Sequence, residues 1–246
     1  MTFRKSYNDG PFVVGDVHGC HDKLSTLLSI LPEEALIVFL GDLVHKGPNS
    51  KKVVDLVRSL VDKNKAICIR GNHEDMVGKS PWIDQEQGLT DEDREWLKAR
   101  PLFVKVTTRL GKDYLCLHAG IDQGSAKAAL TEIIENRQLP PSGPWSGAMV
   151  SSALTSLSKK KLRALERVRF IRYINPLGHM VAFGSEKEED TWWAEEYDGC
   201  FGHIIYGHQP SPVPQYYDHA TCIDTEAYAG GDLTALCLNT GDIYTA

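Results

Sequence analysis

The sequence predicts a mixed α/β (α+β) fold in one domain spanning residues 1–246. Two observations predict this fold. In the N-terminal half, short apolar segments alternate with helical patterns, which is typical of stacked β-α-β units. Toward the C-terminus, strand-like segments follow one another with Gly230, Gly231 and Gly241 in the turns, which indicates an antiparallel meander. The chain of 246 residues is long enough for one large core, and no linker or internal repeat divides it.

Eight apolar segments bounded by Gly, Asp or Asn are predicted to be buried strands. They lie at residues 12–15, 36–40, 66–70, 102–107, 114–118, 203–206, 221–223 and 233–238. Helices are predicted at residues 21–31, 50–61, 90–100, 125–137 and 158–168, with Ser50 and Thr90 as N-caps of the second and third. Two stretches are expected to be surface loops: residues 140–155, rich in Pro, Gly and Ser, and the acidic residues 185–198.

Composition excludes several classes of function. The net charge of −6 argues against a broad basic surface, so we expect neither DNA nor a membrane as a partner. No apolar run approaches the roughly 18 residues of a membrane span, and the N-terminus carries no signal-like segment. The six cysteines form no C-x-x-C pair, and four of them lie in strand-like runs. We therefore expect a soluble, cytoplasmic protein with reduced thiols.

Side chains that bind metals follow five of the predicted strands. The motifs are GDVHG at 15–19, GDLVHKG at 41–47, GNHE at 71–74, LHAG at 117–120 and YGHQP at 206–210. Ligands of open α/β sheets bind beyond the carboxyl ends of the strands, so these motifs are expected to meet at one rim. The candidate metal ligands are Asp16, His18, Asp42, Asn72, His118 and His208. Any one of them alone would be an ordinary turn residue, but the five motifs together favour a metal site.

The donor types predict the kind of metal site. Imidazoles, carboxylates and an amide oxygen suit Mn, Fe or Zn, with Mn expected first and Co also accepted, and they are too rich in nitrogen for a Ca or Mg cage. Six ligands exceed the three of an open zinc site, so we expect two divalent ions that share a bridging carboxylate. Such pairs lie about 3.5–4 Å apart and clamp the attacking and leaving oxygens of a phosphoryl displacement.

The five motifs resemble those of calcineurin-like metallophosphoesterases, in the branch of phosphoprotein phosphatases and diadenosine tetraphosphatases. The C-terminal CIDTEAYAGGDLTALCL is similar to the last strands of symmetrical diadenosine tetraphosphatases and their ApaH-like relatives. The resemblance implies a four-layer sandwich, with two mixed sheets flanked by helices. It also implies that Asp16, His18 and Asp42 hold one ion, and that Asp42 bridges to a second. Asn72, His118 and His208 complete that second site, and His73 is the general acid.

The GDLVHKG motif departs from phosphoprotein phosphatases, where it reads G-D-x-x-D-R-G. In that family the second Asp orients the acid His and the Arg forks onto phosphate, whereas here His45 and Lys46 take their places. Lys46 still neutralises phosphate, as a point charge. A nucleotide phosphate leaves more readily than an alkoxide and depends less on a well-held acid. The change therefore favours phosphoanhydride substrates, and it leaves open whether His45 is catalytic or an ordinary rim residue.

Further cations and aromatic residues are candidates for substrate contacts. Arg169 and Arg172 lie among apolar residues, resemble the Arg-containing segment of the ApaH-type pocket, and are expected to bind phosphate or else to be structural. The lysines at 159–161 are expected on a solvated helix face. Three aromatic residues of the acidic loop would either stack an adenine or pack that loop onto the sheet: Trp192, Trp193 and Tyr197.

The leading hypothesis for function is a two-metal hydrolase of phosphoanhydrides. Its default substrate is a small nucleotide polyphosphate such as diadenosine tetraphosphate, and capped RNA or polyphosphate would suit the same pocket. A serine/threonine phosphoprotein phosphatase is an alternative, although it would favour Asp at position 45. A non-catalytic scaffold of the same fold is another, although such proteins tend to lose metal ligands and all six are present here.

Overall fold

Two five-stranded mixed sheets lie at the centre of the protein. The computed structural model describes residues 10–79, 87–136, 138–140 and 143–246. The first sheet has the order β13-β12-β1-β2-β3, the second has the order β10-β11-β9-β5-β4, and a small sheet has the order β7-β6-β8. The strands are β1 Pro11–Val14, β2 Leu36–Phe39, β3 Ala66–Cys68, β4 Phe103–Thr107, β5 Asp113–Leu117, β6 Tyr173–Ile174, β7 Met180–Val181, β8 Thr191–Trp192, β9 His203–Tyr206, β10 Gln215–Tyr216, β11 Ala220–Cys222, β12 Thr234–Cys237 and β13 Ile243–Thr245.

Helices cover the outer face of each sheet. They are α1 His21–Ile30, α2 Ser50–Asp62, α3 Asp91–Lys98, α4 Ser125–Glu135, α5 Gly147–Leu154 and α6 Lys159–Glu166, with short 3-10 turns at Arg167–Arg169 and Ala227–Ala229. The first three pack with the first sheet and the next three with the second. Between the sheets, Val38 and Ile69 of the first sheet's side meet Cys116 and Ile205 of the second. The four-layer arrangement that the resemblance implies is confirmed.

The parallel strands of the two sheets supply the loops that form the site. β1, β2 and β3 run parallel in the first sheet, and β5, β9 and β11 run parallel in the second. Most of their apolar residues are buried, on both faces, as expected for strands covered by helices on one side and a sheet on the other. The predicted strands are all present, so the polar residues that follow them are brought together at the carboxyl ends.

The predicted C-terminal meander is right only for its last two strands, because β12 and β13 form an antiparallel pair but the strand before them lies in the other sheet. β11 pairs in parallel with β9 in the second sheet, whereas β12 pairs with β1 and β13 in the first. The chain passes from one sheet to the other between β11 and β12, through the 3-10 turn at Ala227–Ala229. Glycine-rich turns indicate where strands end, but they carry no information about which sheet the next strand joins.

The helix boundaries confirm one predicted cap and correct two other predictions. Thr90 caps α3 in a capping box with Asp93, as predicted. Asn49, not Ser50, is the N-cap residue of α2; the Ser50 hydroxyl instead accepts from the His45 N–H at 2.9 Å. The predicted loop at 140–155 contains α5, because Ser146 caps a run that buries Val150. The acidic stretch 185–198 is mostly irregular, as predicted, apart from β8.

Several predictions extend beyond the described part of the chain. Residues 1–9, where no signal-like segment was expected, lie outside it, as do residue 137 of the predicted fourth helix and residues 141–142 of the predicted loop. Within the described residues, the helices are too short or too polar to cross a bilayer. Cys68, Cys116, Cys222 and Cys237, the four cysteines predicted in strand-like runs, are buried in strands.

Candidate metal centre

The loops after the strands hold the candidate ligands in an unusual backbone conformation. His18, Asp42 and His208 have positive φ angles of 44°, 49° and 65°. This left-handed region is costly for residues other than glycine, and such strain is typical of functional sites. The glycine at Gly207 allows close contact: a Cβ there would lie 2.1 Å from the Asp16 Oδ1. Three of the candidate ligands therefore adopt unfavourable backbone conformations, which the packing of the loops around the site must stabilise.

Asp42 lies between two groups of potential metal ligands. One group is Asp42, His18 and His73, the other is Asp42, His118 and His208, and the ligand atoms within each group lie within 4.8 Å of one another. The Asp42 Oδ1 is 3.4 Å from the His118 Nε2, and its Oδ2 is 3.5 Å from the His18 Nε2. Each carboxylate oxygen therefore faces a different group, which is the geometry of a bridging ligand.

Two imidazoles are oriented by backbone carbonyls. The His18 Nδ1–H donates to the Val44 carbonyl at 3.1 Å, and the His118 Nδ1–H donates to the Leu40 carbonyl at 2.8 Å. Because a carbonyl only accepts, each ring carries a proton on Nδ1 and turns its Nε2 toward the site. Carbonyl partners of this kind orient the histidine ligands of metals.

Three lone-pair-bearing atoms meet at the His118 ring, and they need a cation between them. The His118 Nε2 lies 3.0 Å from the Asn72 Oδ1 and 3.4 Å from the Asp42 Oδ1, so three acceptor atoms face one another when the ring is neutral. In the absence of a metal a proton takes that place: burial lowers the pKa of His118, but Asp42 and Asp16 outweigh it and raise the pKa to about 10. A divalent ion coordinated by the same three atoms would replace the proton.

The buried carboxylates give the same indication. Asp16 accepts from the His208 N–H at 3.2 Å, and burial together with Asp224 and Asp42 raises its pKa well above the usual range. Burial and the neighbouring Asp42 also raise the pKa of Asp224 to about 6, against the opposing Glu226 N–H bond. For Asp42 itself the cost of burial is outweighed by His118, His18 and His73, which hold its pKa well below its usual range. Three acids buried together are stabilised by divalent cations, so the residues fit a metal centre.

Glu74 ties the two loops of the first sheet to each other. Its buried carboxylate accepts three backbone N–H bonds, from Asp42 at 2.8 Å, Leu43 at 2.8 Å and Gly71 at 2.7 Å. The loop after β2 is thereby fixed to the loop after β3, which carries Asn72 and His73. The sequence showed Glu74 only as the last letter of a motif, because its role lies in contacts with a distant segment.

His45 contacts His73. The two Nδ1 atoms lie 3.1 Å apart, so one of them carries a proton and donates it to the other. His45 is only 8% exposed, and it is held in place by its backbone bond to the Ser50 hydroxyl. His73 also donates its backbone N–H to the Asp42 Oδ1 at 2.9 Å, and its Nε2 lies 4.0 Å from the Asp42 Oδ2. The structure thus places His45 in contact with the predicted general acid.

The three cations named as phosphate ligands lie in different surroundings. The Lys46 Nζ is 3.0 Å from the His18 Nε2 and 4.1 Å from the centre of the Tyr228 ring. The Arg172 Nη2 donates to the His208 carbonyl at 2.8 Å, and its buried Nε has no hydrogen-bond partner among the described residues. Arg169 is buried and forms an ion pair with Asp75. Lys46 and Arg172 therefore lie beside candidate metal ligands, whereas Arg169 already has an anionic partner.

The aromatic residues of the acidic loop are mainly structural. Trp193 and Tyr197 are buried in the core beside the second sheet, which leaves no ring face for an adenine. Trp192 stacks on Tyr173, with ring centroids 4.1 Å apart. Packing, the second of the two alternatives, is what the structure shows for Trp193 and Tyr197.

Sequence reasoning missed Asp224 and Tyr228. Asp224 is an acid two residues beyond β11, and it is buried close enough to Asp16 to raise the pKa of that residue. The signal was present, since the predicted strand 221–223 is followed at once by this acid, as at the other strand ends. Tyr228 packs edge-on against His18, with ring centroids 5.1 Å apart. Nothing local in the sequence marks Tyr228, because the contact depends on how the chain crosses between the sheets.

A four-layer sandwich with imidazoles and carboxylates at the carboxyl ends of its strands defines a metal-binding phosphoesterase. Comparison with known families agrees: the chain belongs to the calcineurin-like phosphoesterases, whose family model matches residues 12–237.

Relatives and solved structures are consistent with this family. A bis(5'-nucleosyl)-tetraphosphatase PrpE (asymmetrical) of Anoxybacillus flavithermus is 29% identical over 240 residues, covering 91% of this chain and 88% of the relative. The protein of the same name from Halalkalibacterium halodurans is 28% identical with the same coverage. A solved structure whose assignment as a diadenosine tetraphosphatase is provisional superposes with a TM-score of 0.65 at 21% identity, over 98% of this chain and 94% of the other.

A serine/threonine phosphatase of Saccharomyces cerevisiae superposes with a TM-score of 0.59 at 15% identity, over 98% of this chain and 82% of the other. At these identities the two solved structures show the shared fold alone. The relatives are named asymmetrical, whereas the C-terminal motif resembles the symmetrical enzymes.

Proposed function

We propose that this protein hydrolyses phosphoanhydride bonds of nucleotide polyphosphates, with two divalent metal ions bound at the rim of the sheets. The observation that carries the proposal is the Asp42 carboxylate, whose two oxygens face two different groups of imidazoles. The names of the relatives support a dinucleoside tetraphosphate as the substrate class. Manganese is the first choice of metal, and iron, zinc or cobalt would accept the same donors.

The chain's own residues would divide the work as follows. Asp16, His18 and Asp42 would hold one ion, and Asp42, Asn72, His118 and His208 the other. When bound, the ions would polarise the phosphoryl oxygens and lower the pKa of water. Lys46 and Arg172 would bind the flanking phosphates, while Arg169 would hold Asp75 in place. The His73 Nε2 lies 4.0 Å from the Asp42 Oδ2, where it would donate a proton to the leaving oxygen.

A side-by-side assay tests the proposal. The purified protein is stripped with a chelator, reloaded with manganese, and given diadenosine tetraphosphate, capped RNA, long-chain polyphosphate and a phosphopeptide. We expect turnover of anhydrides only in the reloaded protein. ATP with AMP as products would indicate asymmetrical cleavage of diadenosine tetraphosphate, and two ADP would indicate symmetrical cleavage. Faster turnover of the phosphopeptide would favour a phosphoprotein phosphatase, and failure to bind manganese would favour a non-catalytic scaffold.

Replacing His45 with aspartate is expected to shift the enzyme toward phosphate esters. A carboxylate next to the His73 Nδ1–H would stabilise the imidazolium, which a poor alkoxide leaving group needs. We expect the ratio of phosphopeptide to diadenosine tetraphosphate turnover to rise about tenfold. His45→Asn is the matched control, since it offers an acceptor without a charge. Equal changes for both substrates would show that position 45 does not act through the proton donor.

Replacing Arg172 with alanine is expected to weaken binding of phosphate chains. A charge-assisted hydrogen bond is worth about 1.5–3 kcal/mol, so KM for diadenosine tetraphosphate should rise about tenfold or more. Manganese content is measured in parallel, because Arg172 also bonds the carbonyl of His208. Arg163→Ala, at an exposed position of the same basic run, is the control and should leave KM unchanged. An unchanged KM in Arg172→Ala at full metal content would remove Arg172 from the phosphate site.

A further inference from the structure

Phe183 is a large apolar side chain exposed to solvent beside the metal centre. Its ring is 78% exposed and lies in the turn that follows β7, where the Ser185 N–H donates to the Ala182 carbonyl at 3.0 Å. Single exposed apolar residues are common on protein surfaces and need no explanation by themselves. What distinguishes Phe183 is the residue that it contacts.

That residue is Arg172. Its guanidinium carbon lies 5.0 Å from the centre of the Phe183 ring, while its Nη2 donates to the His208 carbonyl at 2.8 Å. One side chain therefore spans the gap between the exposed ring and a candidate metal ligand. In a nucleoside polyphosphate the base is joined to the ribose, the ribose to the first phosphate, and the first phosphate to the second. A phosphate bound by Arg172 would thus bring the attached base close to Phe183.

The fold holds the backbone of Arg172 in place. The Arg172 carbonyl accepts from the N–H of the buried Trp193 at 3.0 Å, which anchors the start of β6. β6 in turn pairs with β7 on one side and β8 on the other, with Tyr173 opposite Val181 and Trp192. A side chain that is already in position loses little freedom on binding, so it contributes more affinity.

The charges around Phe183 favour an uncharged group over another phosphate. Residues 183–190 carry Glu186, Glu188, Glu189 and Asp190 against a single lysine, Lys187. Of these, the Glu186 carboxylate lies next to Phe183, since it accepts from the Gly184 N–H at 2.9 Å, and it would repel a polyphosphate chain that continued past Arg172. A nucleobase carries no charge and stacks well on a phenyl ring.

We propose that Phe183 stacks a purine base of the nucleotide polyphosphate substrate, with Arg172 binding the phosphate between that base and the metal centre. This inference rests on the proposed function and narrows its substrate class. It predicts that the pocket recognises a nucleoside end, and so selects nucleoside polyphosphates over inorganic polyphosphate. It also assigns to Phe183 the stacking role that was one of two alternatives for Trp192, Trp193 and Tyr197 in the sequence.

The test compares a substrate that has a base with one that lacks it. KM for diadenosine tetraphosphate is measured with manganese, next to KM for inorganic tripolyphosphate, or its inhibition constant if it is not turned over. Phe183→Ala should raise KM for diadenosine tetraphosphate about tenfold and leave the tripolyphosphate constant unchanged. Phe183→Trp should restore or lower KM. Leu177→Ala is the matched control, because Leu177 lies between β6 and β7 and is also 78% exposed.

The outcomes separate the two proposals. If the wild-type protein hydrolyses diadenosine tetraphosphate and Phe183→Ala shifts both constants equally or neither, the stacking role is wrong and the proposed function stands. A shift in Leu177→Ala as large as in Phe183→Ala would also overturn it, because the effect would then belong to the hairpin. If the wild-type protein hydrolyses no anhydride with manganese, the proposed function fails and the base site fails with it. The exposure of Phe183 makes a folding defect in the variants unexpected.

Discussion

Replacing Asp42 with asparagine is expected to lower turnover of every phosphate substrate by roughly a thousandfold, equivalent to about 4 kcal/mol of transition-state stabilisation. The two Asp42 oxygens face His118 and His18 at 3.4 and 3.5 Å. An amide keeps one oxygen but replaces the other with an NH₂ group, which cannot bind a cation. The variant should therefore lose manganese from at least one of the two groups. Steady-state kinetics and metal analysis of the same sample check both effects.

The control for this substitution is Asp55→Asn. Asp55 lies on α2 with its side chain 54% exposed, paired with Lys51, and removal of such a surface charge changes little. Asp42→Asn should still fold, since the amide oxygen accepts the His73 N–H as the carboxylate does. A folded Asp42→Asn protein that retains two manganese ions and wild-type turnover would exclude Asp42 as the bridging ligand.

Local sequence patterns were sufficient to predict the main strands and the polar residues that follow them. Each predicted strand is a short apolar run followed by a polar turn, and both features lie within ten residues of each other. The residues at the strand ends therefore pointed to Asp16, Asp42, His118 and the other candidate ligands through the amino-acid sequence alone. The fold gathers His18, Asp42, His118 and His208 into two groups that share Asp42, with His73 in the first. Asp16 contacts the His208 N–H, and Asn72 contacts the His118 ring. Parallel strands place their carboxyl ends at one rim of a sheet. The meeting of these residues can therefore be predicted without knowing the exact order of the strands.

The features that could not be predicted depend on contacts between distant segments. Whether β11 joins the first or the second sheet is decided by pairing with β9, which no turn signal reports. The contact of Phe183 with Arg172 exists because β6 and β7 form a hairpin that returns the chain to the site. Arg169 and Arg172 look alike in sequence, yet Arg169 forms an ion pair with Asp75 whereas Arg172 donates to the His208 carbonyl. Such differences arise from tertiary packing, which overrides local preference.

Another long-range contact, between the Glu74 carboxylate and the loop after β2, leads to a prediction about stability. Replacing Glu74 with alanine should leave the N–H groups of Asp42, Leu43 and Gly71 buried without an acceptor. An unsatisfied buried donor costs about 1–3 kcal/mol, so the free energy of unfolding should fall by roughly 3 kcal/mol or more. Manganese affinity should fall as well, because the freed loops carry Asp42 and Asn72. Glu74→Gln keeps one acceptor oxygen and should give an intermediate loss.

The measurement uses the manganese-loaded protein. Without a metal, burial and the Asp42 carboxylate raise the pKa of Glu74 to about 7, so its charge is itself a cost to the fold. A cation bound by Asp42 offsets the repulsion between the Asp42 and Glu74 carboxylates. The three N–H bonds then dominate the contribution of Glu74 to stability. Denaturant unfolding and manganese titration are compared with those of Glu92→Gln, an exposed glutamate on α3. If Glu74→Ala unfolds at the wild-type midpoint, the two loops are held by their own turns, and the Glu74 contacts do not stabilise the metal centre.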